Sequence, residues 1–138
     1  RADGFFRAIR ANGMSASKSQ MLYLTPSTEG AYADMCTLLQ SGEEPVKCYF
    51  ADNDSIAIGA IKAFREAGYR IPQDISIIGF DNIPLCTYVD PSLTTIHVPK
   101  QYMGRMAVQR LIQTLQETEH YPTKIEIGTN LLKRNSIG

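Results

Sequence analysis

The run ISIIGF, residues 75–80, stops at the pair Asp81–Asn82, and Pro84 follows two residues later. Four of its six residues are apolar, and its three isoleucines are β-branched. A nearly unbroken apolar run of this kind suits a strand covered on both faces, as in a parallel sheet. Parallel strands need crossover helices between them, and the rest of the chain reads as such an alternation. RADGFFRAIRANG (1–13) has helical spacing and ends at Gly13, a natural left-handed cap. QMLYLT (20–25) is a short strand candidate closed by Pro26. STEGAYADMCTLLQSG (27–42) reads as a helix with Tyr32, Met35, Cys36, Leu38 and Leu39 on one side and Gly42 at its end. VKCYFA (46–51) is a second strand. Asp52 or Asn53 is placed to cap a helix from Ser55 to Ala67, which Gly68 closes.

This alternation predicts an α/β layered domain on a parallel sheet, with right-handed crossovers. In such sheets the functional crevice lies outside the carboxyl ends of the strands. Thr25, Asn53 and Asp81 each stand at or just past such an end, so the three are expected on one rim. The last third reads differently. LTTIHVPK (93–100) is extended and alternating, and Pro99 precedes a helix from Gln101 to Glu117. Met103, Ala107, Leu111 and Leu115 form an i, i+4 ladder there, widened by Tyr102, Met106, Val108 and Ile112. TKIEIGTNLLKRNS (123–136) predicts two short strands around Gly128 and Thr129.

Charge and composition exclude several function classes. The 14 basic and 14 acidic residues balance, so this stretch lacks the basic surplus by which proteins grip phosphate backbones. No apolar run approaches the roughly 20 residues that span a bilayer. Cys36, Cys48 and Cys86 lack metal-ligand spacing, and His97 and His120 are the only histidines. The expectation is free, buried thiols in a reducing cytoplasm, with no metal and no cofactor. No serine, cysteine or histidine is arranged as a nucleophile–base pair, so no catalytic residue is assigned. The chain opens inside a helix with neither Met nor N-cap, which reads as part of a longer protein.

Three segments carry a family signature: FADNDSIAIGAIKAFREAGYRIPQDISIIGFDN, PSLTTIHVPKQYMG and LLKRNSI. In order and spacing they resemble the effector-binding domain of the LacI/GalR family of bacterial transcription repressors, from Arg1 to Ser136. The resemblance implies a periplasmic-binding-protein-like fold of which this chain is the C-terminal portion, without the N-terminal subdomain and the helix-turn-helix. Residues 1–92 and 118–138 would form the C-terminal subdomain. Residues 93–117 would cross to the absent N-terminal subdomain, leaving their helix to pack on the rest of the chain or on a neighbouring copy. The implied function is effector sensing, most naturally of a sugar, that controls operator binding through the absent DNA-binding part, in a cytoplasmic homodimer.

Arg1, in RADGF, matches the arginine of the family's R-x-x-G-F pattern, and a guanidinium offers five rigid donors for hydroxyls or a carboxylate. Asn53 matches the family's polar position before the helix; its amide donates and accepts, although a helix cap is the plainer role. Asp81 is the strongest effector candidate, because a carboxylate left without its hydroxyl partners discriminates steeply. A turn-forming Asx residue is its plainer reading. Thr25 is a looser match in a loop where the family places effector contacts. Asp52 and Asp54 read as local caps, and His97 as a structural histidine. Ile58 and Ile61 in the central helix, with Leu85, Tyr88 and Val89 downstream of Asp81, match the family's dimer interface. An extracytoplasmic sugar-binding protein of a transporter shares the fold; the close match at RIPQDISIIGFDN and the unpaired cysteines place it second. A phosphoacceptor or hydrolase domain using Asp81 would need a phosphate-cradling glycine loop that the sequence lacks.

Overall fold

The ISIIGF run forms most of the longest strand of the sheet, β2 (Ser76–Asp81), which pairs with a strand on each side. The computed structural model describes residues 1–119 and 121–138; His120 and the side chain of Lys18 lie outside the described residues. On one side, β1 (Cys48–Phe50) pairs parallel with β2, Phe50 opposite Ile78. On the other, β3 (Thr94–His97) pairs parallel, Asp81 opposite His97. β4 (Asn130–Leu132) adds antiparallel to β3, with His97 opposite Asn130. The result is the expected α/β fold on a mostly parallel sheet, in the order β1-β2-β3-β4.

The crossover from β1 to β2 is the helix α3 (Asp54–Glu66), capped by Asn53, whose Oδ1 accepts from the Ile56 N–H at 2.8 Å. Gly68, with φ of 91°, follows its end as the sequence predicts. α3 packs on β2 with one side and on α2 (Thr28–Gln40) with another. The two helices approach so closely that a Cβ on Gly59 would overlap the Thr28 carbonyl oxygen. Ala57, Ile58, Ala60, Ile61 and Phe64 are therefore all buried, together with Met35, Ile75, Ile77 and Leu93. Ile58 and Ile61, expected at a dimer interface, lie in this core of the single chain. Burying an isoleucine side chain stabilises a fold by about 1.5–3 kcal/mol, and Ile58 and Ile61 are 6% and 3% exposed.

Two strand expectations change. Residues 20–25 are extended but form no strand; Leu22 and Leu24 rest on the core without a ladder partner. Residues 123–129 likewise form no strand, because β3 offers pairing only to Asn130–Leu132. Residues 94–97, placed by the sequence at the start of a crossover segment, lie in this sheet between β2 and β4. The helix α4 (Lys100–Gln116), expected on the rest of the chain or on a neighbouring copy, has no buried residue in the single chain, and Val108, Leu111 and Leu115 are exposed. The first helix, α1 (Ala2–Ala11), is also without a buried residue and is tied mainly by Phe5 stacked 6.0 Å from Phe50. No helix among the described residues is long and apolar enough to cross a membrane.

At the centre, Asp54 is only 1% exposed. It accepts from the Thr95 hydroxyl at 2.5 Å and from the Ile83 N–H at 2.9 Å, so it ties α3 to β3 and to the turn after β2. Gly79 is required beside it, since a Cβ there would overlap Asp54 Oδ1. Asp54 is thus no local cap. Ser136 works in the same way from the chain's end: its hydroxyl donates to the Ile77 carbonyl at 2.6 Å and accepts from the Thr94 N–H at 2.9 Å.

Two expected outcomes follow from these contacts. Asp54→Ala orphans one buried and one half-buried donor at about 1–3 kcal/mol each, so denaturant unfolding of the full-length protein should show a loss of roughly 2–5 kcal/mol. Asp54→Asn, which keeps an acceptor oxygen, should lose less. At the turn before β2, the Arg70 side-chain and backbone N–H groups hold Asp74 at 2.8–2.9 Å and lower its carboxyl to about 2. A carboxyl depressed in the folded state stabilises above its unfolded value of 3.8 and loses that contribution as pH falls towards 2. Acid unfolding between about pH 4 and 2 should therefore be shallower in Asp74→Asn than in the parent, read by circular dichroism.

Candidate functional site

Because β1 and β2 run parallel side by side, the chain segments leaving their carboxyl ends emerge together. The Ala51 N–H still bonds the Ile78 carbonyl at 2.8 Å, which sets Asp52 and Asn53 beside Phe80 and Asp81. Arg1 reaches this rim from the start of α1. Its Nη1 donates to the Asp52 carbonyl, and its guanidinium carbon lies 4.0 Å from the centroid of the Phe80 ring. Its Nη2 stands 3.8 Å from Asp81 Oδ1, beyond hydrogen-bond distance. The two side chains are 42% and 27% exposed, and an ion pair in that environment contributes under about 1 kcal/mol. The two charges are only loosely paired with each other, although Arg1 is also held by the Asp52 carbonyl and the Phe80 ring.

Asp81 and Asn82 have φ of 111° and 52°, consecutive residues in the half of conformational space that side chains avoid. Asn enters it more readily than most. Backbone so placed costs about 1–3 kcal/mol per residue and persists only where its surroundings fix it. Here they do. Asn82 Oδ1 accepts from Arg134 Nη2 at 2.7 Å, and Asn82 Nδ2 lies 3.1 Å from His97 Nδ1. The next amide, that of Ile83, is held by Asp54. Lys100 Nζ donates to the Asp81 carbonyl. The turn's backbone and the Asn82 side chain are fixed inward, while the Asp81 carboxyl stays half-exposed at the rim.

The structure therefore brings Arg1, Asn53 and Asp81 to one end of the sheet. Asn53 spends its oxygen on the helix cap, leaving Nδ2 without a hydrogen bond among the described residues. Thr25 is not joined to this group by any hydrogen bond or ion pair among the described residues. Its N–H bonds Asp34 Oδ2 at 2.7 Å, a local link made because residues 20–25 never enter the sheet ladder. Leu85 (43%) and Tyr88 (81%) are exposed and Val89 is half-buried, on and just after the 3₁₀ turn Pro84–Thr87. Of the cysteines, all free, Cys86 is buried, Cys36 half-buried and Cys48 exposed. Burial, and then the neighbouring Asp54, push the Cys86 thiol up to about 12, so it stays protonated and unreactive. His97 lies in β3, with its Nδ1 3.1 Å from Asn82 Nδ2.

Asn82, Thr95 and Arg134 were not singled out by the sequence. An Asp–Asn pair closing an apolar strand is the one local signal for the turn, since Asn tolerates left-handed backbone. Arg134 carries no local signal, because its partners lie 41 and 52 residues away in the chain.

Comparison with known proteins gives the family and the fold. The model of the periplasmic binding protein-like domain matches residues 1–137. The HTH-type transcriptional repressor PurR of Aliivibrio salmonicida is 33% identical over 137 residues, 99% of this chain and 41% of that protein. A LacI family transcriptional regulator from Enterococcus faecium, solved with bound ribose, superposes with a TM-score of 0.86 at 32% identity, over 99% of this chain and 50% of that one. One from Arthrobacter sp. FB24, in complex with lactose, gives 0.80 at 26% identity, over 96% and 49%. The chain thus spans about two fifths to one half of the relatives it matches. It belongs to the periplasmic binding protein-like domain family, among the effector-binding domains of LacI-family regulators.

Proposed function

We propose that this chain supplies one side of an effector site in a LacI-type transcription regulator, and that the effector is a sugar. The observation that carries the reading is the loosely paired Arg1–Asp81 set at the carboxyl end of the sheet. A carboxylate acceptor, guanidinium donors and the free amide nitrogen of Asn53 match the paired hydroxyls of a sugar ring. Relatives solved with ribose and with lactose support that class. Binding is the function, with no bond made or broken. The α4 segment would belong to the facing lobe, which gives its apolar ladder a partner. A ligand that binds the closed pair of lobes more tightly than the open one shifts the balance between them, typically by about 1–3 kcal/mol of coupling. Operator DNA would be held by the rest of the protein, in the cytoplasm, and not by this charge-neutral stretch. A homodimer contact through Leu85, Tyr88 and Val89 rests on the exposure of the first two and the half-burial of the third.

The test is a thermal-shift series on the full-length protein with D-ribose, lactose and, as a contrasting class, free nucleobases. A sugar should raise the melting temperature and nucleobases should not; the reverse result would overturn the sugar reading. Asp81→Asn removes the charge yet tolerates the left-handed turn. It should weaken the sugar about tenfold or more, the usual loss for one charge-assisted hydrogen bond. Undiminished binding by that variant would remove Asp81 from the site.

A further inference from the structure

The Asp81–Asn82 turn is held from both ends of the segment that carries α4. That segment leaves the sheet after His97, and Lys100 at its start donates to the Asp81 carbonyl. It returns as β4, where Asn130 lies opposite His97, and Arg134 follows two residues after the strand. Arg134 is seated firmly. Its N–H donates to the hydroxyl of the fully buried Thr94 at 2.8 Å, and its Nη1 to the Leu93 carbonyl at 2.6 Å, which leaves Nη2 aimed at Asn82 Oδ1 at 2.7 Å. With Oδ1 so occupied, Asn82 Nδ2 is the donor towards His97 Nδ1. Both ends of the Asn82 side chain are thereby spent on residues that bracket the α4 excursion.

We infer that Asn82 and Arg134 are positioning residues for the effector site: their hydrogen bond fixes the left-handed turn that aims the Asp81 carboxyl at the rim, and it links effector affinity to the seating of the α4 segment. The inference rests on Asp81 being the ligand acceptor, and it adds how that acceptor is set and what can reset it. Neither side chain hydrogen-bonds Arg1, Asn53 or the Asp81 carboxyl among the described residues. A rotation at Asn82 swings Asp81, because the two share one turn. A shift of the α4 segment at either root, Lys100 or Arg134, acts on that same turn, whereas the Asp54 and Thr95 anchors stay with the core.

The experiment compares four full-length proteins: the parent, Asn82→Gly, Asn82→Asp and Arg134→Met. Glycine accepts the left-handed backbone at no steric cost, so Asn82→Gly removes the side-chain tether without adding strain. Asn82→Asp keeps an oxygen for Arg134 and serves as the rescue. The first measurement needs no ligand: amide hydrogen exchange at Asp81, Asn82 and Ile83, with Ile77 as the core reference. Exchange at 81–83 should rise about tenfold or more in Asn82→Gly and Arg134→Met, with Ile77 as protected as in the parent, and Asn82→Asp should stay near the parent. The second is a D-ribose titration, in which the first two variants should lose about tenfold in affinity and Asn82→Asp should recover most of it.

Parent-like exchange at 81–83 in Asn82→Gly would overturn the inference, whatever the ligand. Faster exchange with unchanged D-ribose affinity would also overturn it, since the turn would then open without reaching the site. If the parent itself ignores D-ribose, the sugar reading fails at that step, and the exchange result alone still decides whether Arg134 and Asn82 fix the turn.

Discussion

A buried acid at the start of α3 holds the architecture together. Asp54 leaves the end of β1, yet its side-chain oxygens receive a hydroxyl from β3 and an amide from beyond β2. Three segments separated by tens of residues are thereby fixed to one point. Gly79 must be glycine for that point to fit against β2. Buried polar groups of this kind are costly unless every partner is present. Among the described residues no buried side-chain polar atom lacks one. The carboxyl end of the sheet therefore has a defined shape before any ligand arrives.

On that rigid base the rim is deliberately loose by comparison. Arg1 and Asp81 stand apart at 3.8 Å in partial contact with solvent, and Asn53 keeps one amide nitrogen uncommitted. The contrast between saturated bonds beneath and unsatisfied groups above is what a preorganised binding surface needs. A ligand then gains most of its hydrogen bonds without first breaking strong ones. The left-handed Asp81–Asn82 turn sits at the boundary between the two regimes, and its strain is offset from the core side by Asp54, Thr95 and Arg134.

Much of this was legible in residue order. The apolar run at 75–80, the Asn53 cap and the glycines at 13, 42 and 68 act locally, so α1, α2, α3 and β2 appear where periodicity and capping put them. What was not legible depends on pairing at a distance. Residues 20–25 have strand chemistry but no ladder partner, and 123–129 find none either. The burial of Ile58 and Ile61 within the single chain was not legible either, because helix periodicity shows how many sides are apolar and not what covers them. Asp54 looked like a cap because a carboxyl at a helix start is usually one. Only the fold shows it turned inward. Arg1 and Asp81 could be named from the family resemblance, whereas Arg134 and Asn82 required the long-range contact itself.

The central claim is that the half-exposed Asp81 carboxyl is an acceptor waiting for a ligand's hydroxyls. A crystal structure of the full-length protein with a bound sugar tests it most directly, through the distances from the Asp81 oxygens. The account predicts that the carboxyl lies within hydrogen-bond reach of ring hydroxyls, with the left-handed turn retained beneath it. A sugar bound between the lobes while Asp81 keeps to Arg1 alone, untouched by the ligand, would contradict it.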